Sequence, residues 1–229
     1  TCALPILHDY ETLSNCFTAV FEHYKTTETE IFVIHDLRNE FDEFINFLKQ
    51  NFENKEWHIS YNGLAFDAQV THYIIDNHSK WLDLTGCEIA NIIYNYAQRT
   101  IDKINNNEFH DYPEWKMKIK HIDLFKMHHW DNPAKRSSLK WIQYSMDWND
   151  MIDMPIHHST KINSLGEIDT ILEYNINDVK STKEIFNRSK DLIKLRKELT
   201  NTYSINLYSA SEPRISKELF GYYMSQKLN

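Results

Sequence analysis

The apolar run Leu4-Pro5-Ile6-Leu7 is followed closely by two acids at alternate positions, Asp9 and Glu11. Alternate residues of an extended strand project from one face. If Leu4 to Thr12 is a strand, both carboxylates leave the end of a buried element side by side. Like charges placed together are unfavourable unless a cation or a proton sits between them. On this stretch alone two readings stand level: a strand running out into solvent, or a strand built to hold a charge partner.

The rest of the chain favours regular structure. Only four glycines and five prolines occur in 229 residues, and there is no repeat or low-complexity linker. "CFTAVFEHY" and "TEIFVIH" flank the polar "KTTE" and read as a hairpin. Phe41, Phe44, Ile45, Leu48 and Phe52 recur at helical spacing and predict an amphipathic helix. "EWHISYN" reads as a strand, "FDAQVTHYIIDNH" and "GCEIANIIYNYAQRTIDKI" as helices, and "MKIKHIDLFKM" as a further strand. "SSLKWIQYSM" is a short helix with a serine cap. "KINNNEFHDYPEW" is expected to be a loop. From Gly166 a long helical stretch follows, with a break expected near Asn187, and "LYSASEPRISKELFGYYMSQ" reads as a loop and an amphipathic helix. Strands first, then strands alternating with helices, predict an α/β (α+β) sheet domain.

With 41% hydrophobic and 14% aromatic residues the chain can bury a full core. Its net charge of −8 argues against gripping duplex DNA through phosphate neutralisation. A single-strand binder using aromatic stacking, or an enzyme with an acidic metal site, remains open. No apolar run approaches a membrane span and no signal-peptide pattern occurs. Cys2, Cys16 and Cys87 are odd in number and far apart, indicating neither a disulfide framework nor a zinc site, so a reducing, intracellular compartment is expected.

Two further acids have ordinary structural readings when taken singly. Asp67 in "SYNGLAFDAQV" opens a helix after a strand, where a cap or dipole role suffices. Tyr174 and Asp178 in "EYNINDVKST" share a helix face, as a half-buried tyrosine and a surface acid often do.

Taken in order, "DYET", "NGLAFD" and "YNIND" resemble the three motifs of the DEDD family of 3′–5′ exonucleases. The likeness is nearest to the proofreading domain of family B DNA polymerases, whose third motif commonly begins Tyr-Asn, as Tyr174-Asn175 does. It spans roughly Ile6 to Phe186. Tyr174 stands four residues before Asp178, and Glu173 occupies the place a histidine takes in the other branch, so the chain resembles the tyrosine branch.

The resemblance implies an RNase H-like fold, with a mixed central β-sheet flanked by helices, over residues 1–190, and a helical extension or joint over 191–229. It implies that Asp9, Glu11, Asp67 and Asp178 hold two Mg²⁺ or Mn²⁺ ions, which suit hard oxygen ligands. Asp9 would bridge both ions, Glu11 and Asp178 would bind the one that activates water, and Asp67 would serve the other. Tyr174 would orient that water, since a phenol with a pKa near 10 is a poor base. Thr12, Asn62 and Phe66 would hold the 3′ end of single-stranded DNA. Ser138 and Leu139 of "SLKWI" match a strand-contacting motif of the protein-primed branch. Ser138 has an alternative as a helix cap, and Phe66 as a core residue.

That branch also carries a catalytic lysine before the third motif, but Lys161 in "MPIHHSTKINS" lacks the matching context. The histidine pairs in "KMHHWD" and "PIHHST" diverge rather than chelate, and Asp123 is expected to be structural. Nothing after Phe186 resembles a polymerase palm or fingers, and the chain does not start with Met. A proofreading domain whose partner is a polymerase domain of the same parent chain is therefore expected, with a free-standing exonuclease as the other form. Abundant Asn, Ile, Lys and Tyr fit an AT-rich phage or mobile element. Two alternative functions stay open: a non-catalytic single-strand-binding or scaffold module, and an exonuclease acting on RNA.

Overall fold

The computed structural model describes residues 5–134 and 136–228, so Cys2, and Leu4 at the expected start of the first strand, lie outside the described residues. Six strands form one mixed sheet in the order β4-β3-β2-β1-β5-β6. Strands β1 (Pro5–Thr12), β2 (Phe17–His23), β3 (Thr29–His35) and the two-residue β4 (Arg38–Asn39) run antiparallel in turn. On the other side of β1, β5 (Trp57–Ser60) and β6 (Lys120–Asp123) add in parallel.

Helices cover both faces, and the alternation along β1 explains how. Ile6 and Tyr10 point into a core layer closed by α1 (Phe41–Glu53), α2 (Asp67–Asn77) and α3 (Gly86–Asn105), through Phe44, Leu48, Val70, Ile89 and Ile93. Leu7 points the other way, into a layer closed by α5 (Leu139–Ser145) and α6 (Leu165–Arg188) through Ile142, Ile168, Ile171 and Val179. Capping boxes start α3, with Thr85 and Glu88, and α6, with Ser164 and Glu167.

Two local expectations need correction. Phe52 fits the apolar spacing of α1 but is half exposed at its end, while Asn51 takes the buried position. "MKIKHIDLFKM" is extended only from Lys120 to Asp123, because the Asp123 carboxylate accepts from the amides of Phe125 and Lys126 and starts α4 (Leu124–Met127). The break expected near Asn187 falls at Ser189, dividing the long C-terminal helical stretch into α6 and α7 (Lys190–Tyr203).

The last helix, α8 (Glu212–Leu228), buries Ile215 but leaves Phe220, Tyr223 and Met224 exposed, so it is only weakly amphipathic. A small apolar cluster of Leu207, Ala210 and Ile215 forms here. The buried Arg196 ties it to the sheet domain by donating to the carbonyls of Ala210 (2.9 Å) and Met127 (3.1 Å).

Candidate metal centre

The parallel strands end at one edge of the sheet, the side of such sheets at which ligands bind. β1 brings Asp9 and Glu11 there on one face, α6 lies across β1, and its Asp178 reaches the same point. One carboxylate oxygen from each of Asp9, Glu11 and Asp178 lies within 4.8 Å of the others. These three could hold a metal ion. Asp67, the first residue of α2, stands beside this set; it is buried, and its Oδ1 has no hydrogen-bond partner.

Electrostatics show how unfavourable the arrangement is without a cation. Burial, then the charges of Glu11, Asp67 and Asp178, holds Asp9 well above the usual carboxylate range. Burial, Asp178 and Asp67 push Glu11 up to about 8. Asp67 rises to about 7, chiefly through burial. Asp178 is raised by burial too, although Lys140 and Gln143 partly offset the shift. Four carboxylates that resist ionisation at one point are a site for protons or for cations.

The side chains that hold Asp178 in place come largely from α5. Gln143, fully buried, donates from Nε2 to Asp178 Oδ1 (2.9 Å) and to Ser181 Oγ (2.8 Å). Lys140 Nζ lies 3.7 Å from Asp178 Oδ1. The Tyr174 hydroxyl, one turn before Asp178, hydrogen-bonds its carboxylate, and burial with the charges of Asp178 and Glu11 raises the phenol far above its ordinary value.

A cleft of about 510 Å³ opens on the acids, lined by Asp9, Asp178, Asn62, Ser138, Leu139 and Arg136 among others. Asn62 adopts a left-handed backbone, with φ of 63°. That turn is held from below by Asp123, whose carboxylate accepts from the amides of Asn62 (3.1 Å) and Leu64 (3.0 Å). Gly63 is required next to it, since a Cβ there would run into the Ser60 hydroxyl. Asp123 is thus structural, as its sequence context suggests. Ser138 does cap α5, accepting from the Trp141 amide at 3.2 Å, while also lining the cleft.

Two expected strand-binding residues do not line this cleft. Thr12 is buried, with the opposite strand parity to Glu11, and Phe66 packs against the core layer around Tyr10 and Val70. Lys161 is exposed on a loop. Sequence reasoning missed Lys140, Gln143 and Arg136. The signal available was the i, i+3 placement of Lys140 and Gln143 behind the Ser138 cap, which puts both on one face of α5.

Beside the acidic cleft a second one, of about 520 Å³, shares Ser138 and contains Lys140, Trp141 and Tyr144. The Trp141 and Tyr144 rings stack at 5.8 Å and are 59% and 64% exposed. Among the described residues no helix is long and apolar enough to cross a membrane. No protein-family model matches the sequence, and no curated protein matches it.

Proposed function

We propose that this chain is a metal-dependent 3′–5′ exonuclease of RNase H-like fold that removes nucleoside 5′-monophosphates from the 3′ end of single-stranded DNA. The observation that carries the reading is the convergence of Asp9, Glu11 and Asp178, from two distant segments, to within 4.8 Å, with Asp67 beside them. The antiparallel β1–β2–β3 meander, extended in parallel by β5 and β6, is compatible with that fold.

The donor set is all carboxylate and fits Mg²⁺ or Mn²⁺. Asp9, Glu11 and Asp178 would hold one ion, and Asp67 with Asp9 a second. Divalent ions in such a pair supply charge stabilisation for the attacking and leaving oxygens of an in-line displacement at phosphorus. In the overall reaction water adds to the terminal phosphorus, the P–O3′ bond breaks, and the penultimate nucleotide keeps the 3′-hydroxyl. The chain's own residues orient the reactants. Tyr174, its phenol protonated and its O–H given to Asp178, accepts a hydrogen bond from the water through its oxygen and positions the water rather than taking its proton. Gln143 keeps the Asp178 carboxylate turned toward the cleft. Arg136 at the cleft wall suits a phosphate oxygen. Trp141 and Tyr144 offer stacking surface to bases without reading them, which accommodates a net acidic protein on a single strand.

The test is a 5′-labelled single-stranded DNA oligonucleotide incubated with Mg²⁺, with Mn²⁺ and with EDTA, beside a matched RNA and an Asp9→Ala/Glu11→Ala variant. A ladder shortening from the 3′ end, absent with EDTA and in the variant, is expected. Intact DNA under every metal, or undiminished hydrolysis by the variant, overturns the proposal.

A further inference from the structure

The face of the sheet opposite the acids carries three histidines on three neighbouring strands. His8 lies on β1, His58 on β5 and His121 on β6, and His58 pairs directly with His121. They are 0%, 0% and 3% exposed. Ring centroids are 4.8 Å apart for His8 and His58, 5.3 Å for His58 and His121, and 5.6 Å for His8 and His121. One nitrogen from each ring lies within 4.8 Å of the other two. Both nitrogens of His8, both of His121 and Nδ1 of His58 have no hydrogen-bond partner.

An unpartnered buried polar atom costs about 1–3 kcal/mol, so five of them at one point call for an explanation. The adjacent His72 shows what this fold does with an ordinary core histidine. Its Nδ1 is 2.6 Å from the Ala68 carbonyl, and its Nε2 accepts from the Lys118 amide at 2.8 Å. Both of its nitrogens are used. The three strand histidines are instead aimed at one another.

We propose that His8, His58 and His121 form a buried binding site for one first-row transition-metal ion, with Zn²⁺ the best fit. A Zn–N distance of ~2.0–2.1 Å puts each imidazole centroid roughly 3.2 Å from the ion, and tetrahedral angles then separate centroids by roughly 5.2 Å. The three observed separations, 4.8, 5.3 and 5.6 Å, bracket that value. The rings are inclined at 58°, 78° and 69° rather than stacked, as convergent lone pairs require. Imidazole donors select zinc, copper, nickel or iron over magnesium, so this site differs in kind from the carboxylate centre. The fourth position falls to water.

An outer partner is in place. Asn51 of α1, buried where the helix pattern calls for an apolar residue, has its side-chain Nδ2 3.2 Å from His58 Nε2. A half-turn of that carboxamide would bring its oxygen to the ring, so that Nε2–H donates and Nδ1 is left free to ligate the ion. Occupancy would cross-link β1, β5 and β6, clamping the strand whose other face bears Asp9 and Glu11. The proposal stands on these histidines and does not depend on the exonuclease reading.

The experiment uses the full chain with Asp9→Ala/Glu11→Ala, which removes two carboxylates that would otherwise bind added metal. After stripping with a chelator, Co²⁺ is titrated in and then displaced with Zn²⁺. One equivalent with the intense visible absorption of tetrahedral Co²⁺ is expected, along with an X-ray absorption shell of three imidazoles on bound Zn²⁺. Adding His58→Leu or His121→Phe should weaken binding by more than about 100-fold. No bound equivalent in the parent variant, or unchanged absorption in both histidine variants, overturns the site. If neither histidine variant folds, the X-ray absorption spectrum of the parent decides: fewer than three imidazoles around zinc refutes the proposal.

Discussion

Lys140 Nζ sits 3.7 Å from Asp178 Oδ1 and 4.6 Å from the centre of the Tyr174 ring, in contact with both the acid and the aromatic ring one turn before it. Its charge favours the ionised forms of Asp9, Glu11 and Asp178. The ammonium therefore stands where a metal cation would compete for the same carboxylate. At 3.7 Å the attraction is about 4 kcal/mol at an effective dielectric of 20, but partial solvent exposure of the lysine reduces the net value to about 1 kcal/mol. Lys140→Met should accordingly tighten Mn²⁺ binding about fivefold at pH 8.5, where proton competition is weak. Calorimetric titration checks this, and weaker binding would show that the lysine supports the ion rather than competing with it.

The carboxylates set a pH dependence with a definite sign. Their folded-state pKa values are raised, Glu11 to about 8, so the metal-free folded protein holds protons that the unfolded chain has released. Stability then falls as pH rises toward 8, by roughly 1.4 kcal/mol per pH unit for each proton held. The buried His8, His58 and His121 act oppositely. Burial first, and neighbouring histidines second, lower their values, so their contribution is lost as pH falls below the unfolded histidine range near 6.5. In EDTA the melting temperature should drop between pH 6.5 and 8, and Mg²⁺ should remove that drop. Asp9→Asn should raise the pH 8 melting temperature in EDTA by about 2–6 °C while lowering hydrolysis roughly 10³-fold.

Tyr174→Phe tests the division between orienting and proton transfer. Loss of one hydrogen bond to the reacting water predicts a fall in kcat of about 10–100-fold. The pH–rate profile should keep its shape, because the phenol is protonated throughout the accessible range. A lost limb of the profile would make the tyrosine a titrating base.

Asp123 accepts from the amides of Asn62, Leu64, Phe125 and Lys126, joining the cleft turn to the start of α4. It is fully buried, and Asp123→Ala orphans all four donors. Denaturant unfolding should show a loss of about 3–4 kcal/mol, and Asp123→Asn a smaller one, since the carboxamide still accepts through one oxygen.

Trp141→Ala removes one ring of the exposed Trp141–Tyr144 stack. Single-strand affinity should fall by about 1–3 kcal/mol, with little change in melting temperature. Fluorescence anisotropy with a labelled oligonucleotide in Ca²⁺ measures the former, and a thermal melt the latter.

Much of the candidate centre is legible in the sequence. The Asp9–Glu11 alternation holds because strand parity is a local property, and Tyr174 and Asp178 share a face because helix periodicity is local too. The Ser138 cap and the hairpin of β2 and β3 follow from the same short-range rules. Phe66 and Thr12 were less legible, since which side of a turn meets the core depends on what packs there. Phe52 failed for a related reason: a helical stripe does not reveal where the sheet beneath it ends.

Local pattern suffices for the acids at strand and helix positions, for most of the elements, and for the face of β1 that each side chain takes. Tertiary packing alone brings the end of β1 to the middle of α6, sets Lys140 rather than Lys161 beside the acids, and makes His8, His58 and His121 converge. The histidines lie 50 and 63 positions apart along the chain, by subtraction of their numbers. Their meeting is created by the parallel register of β1, β5 and β6, and such pairing leaves no mark on the local spacing of any one strand.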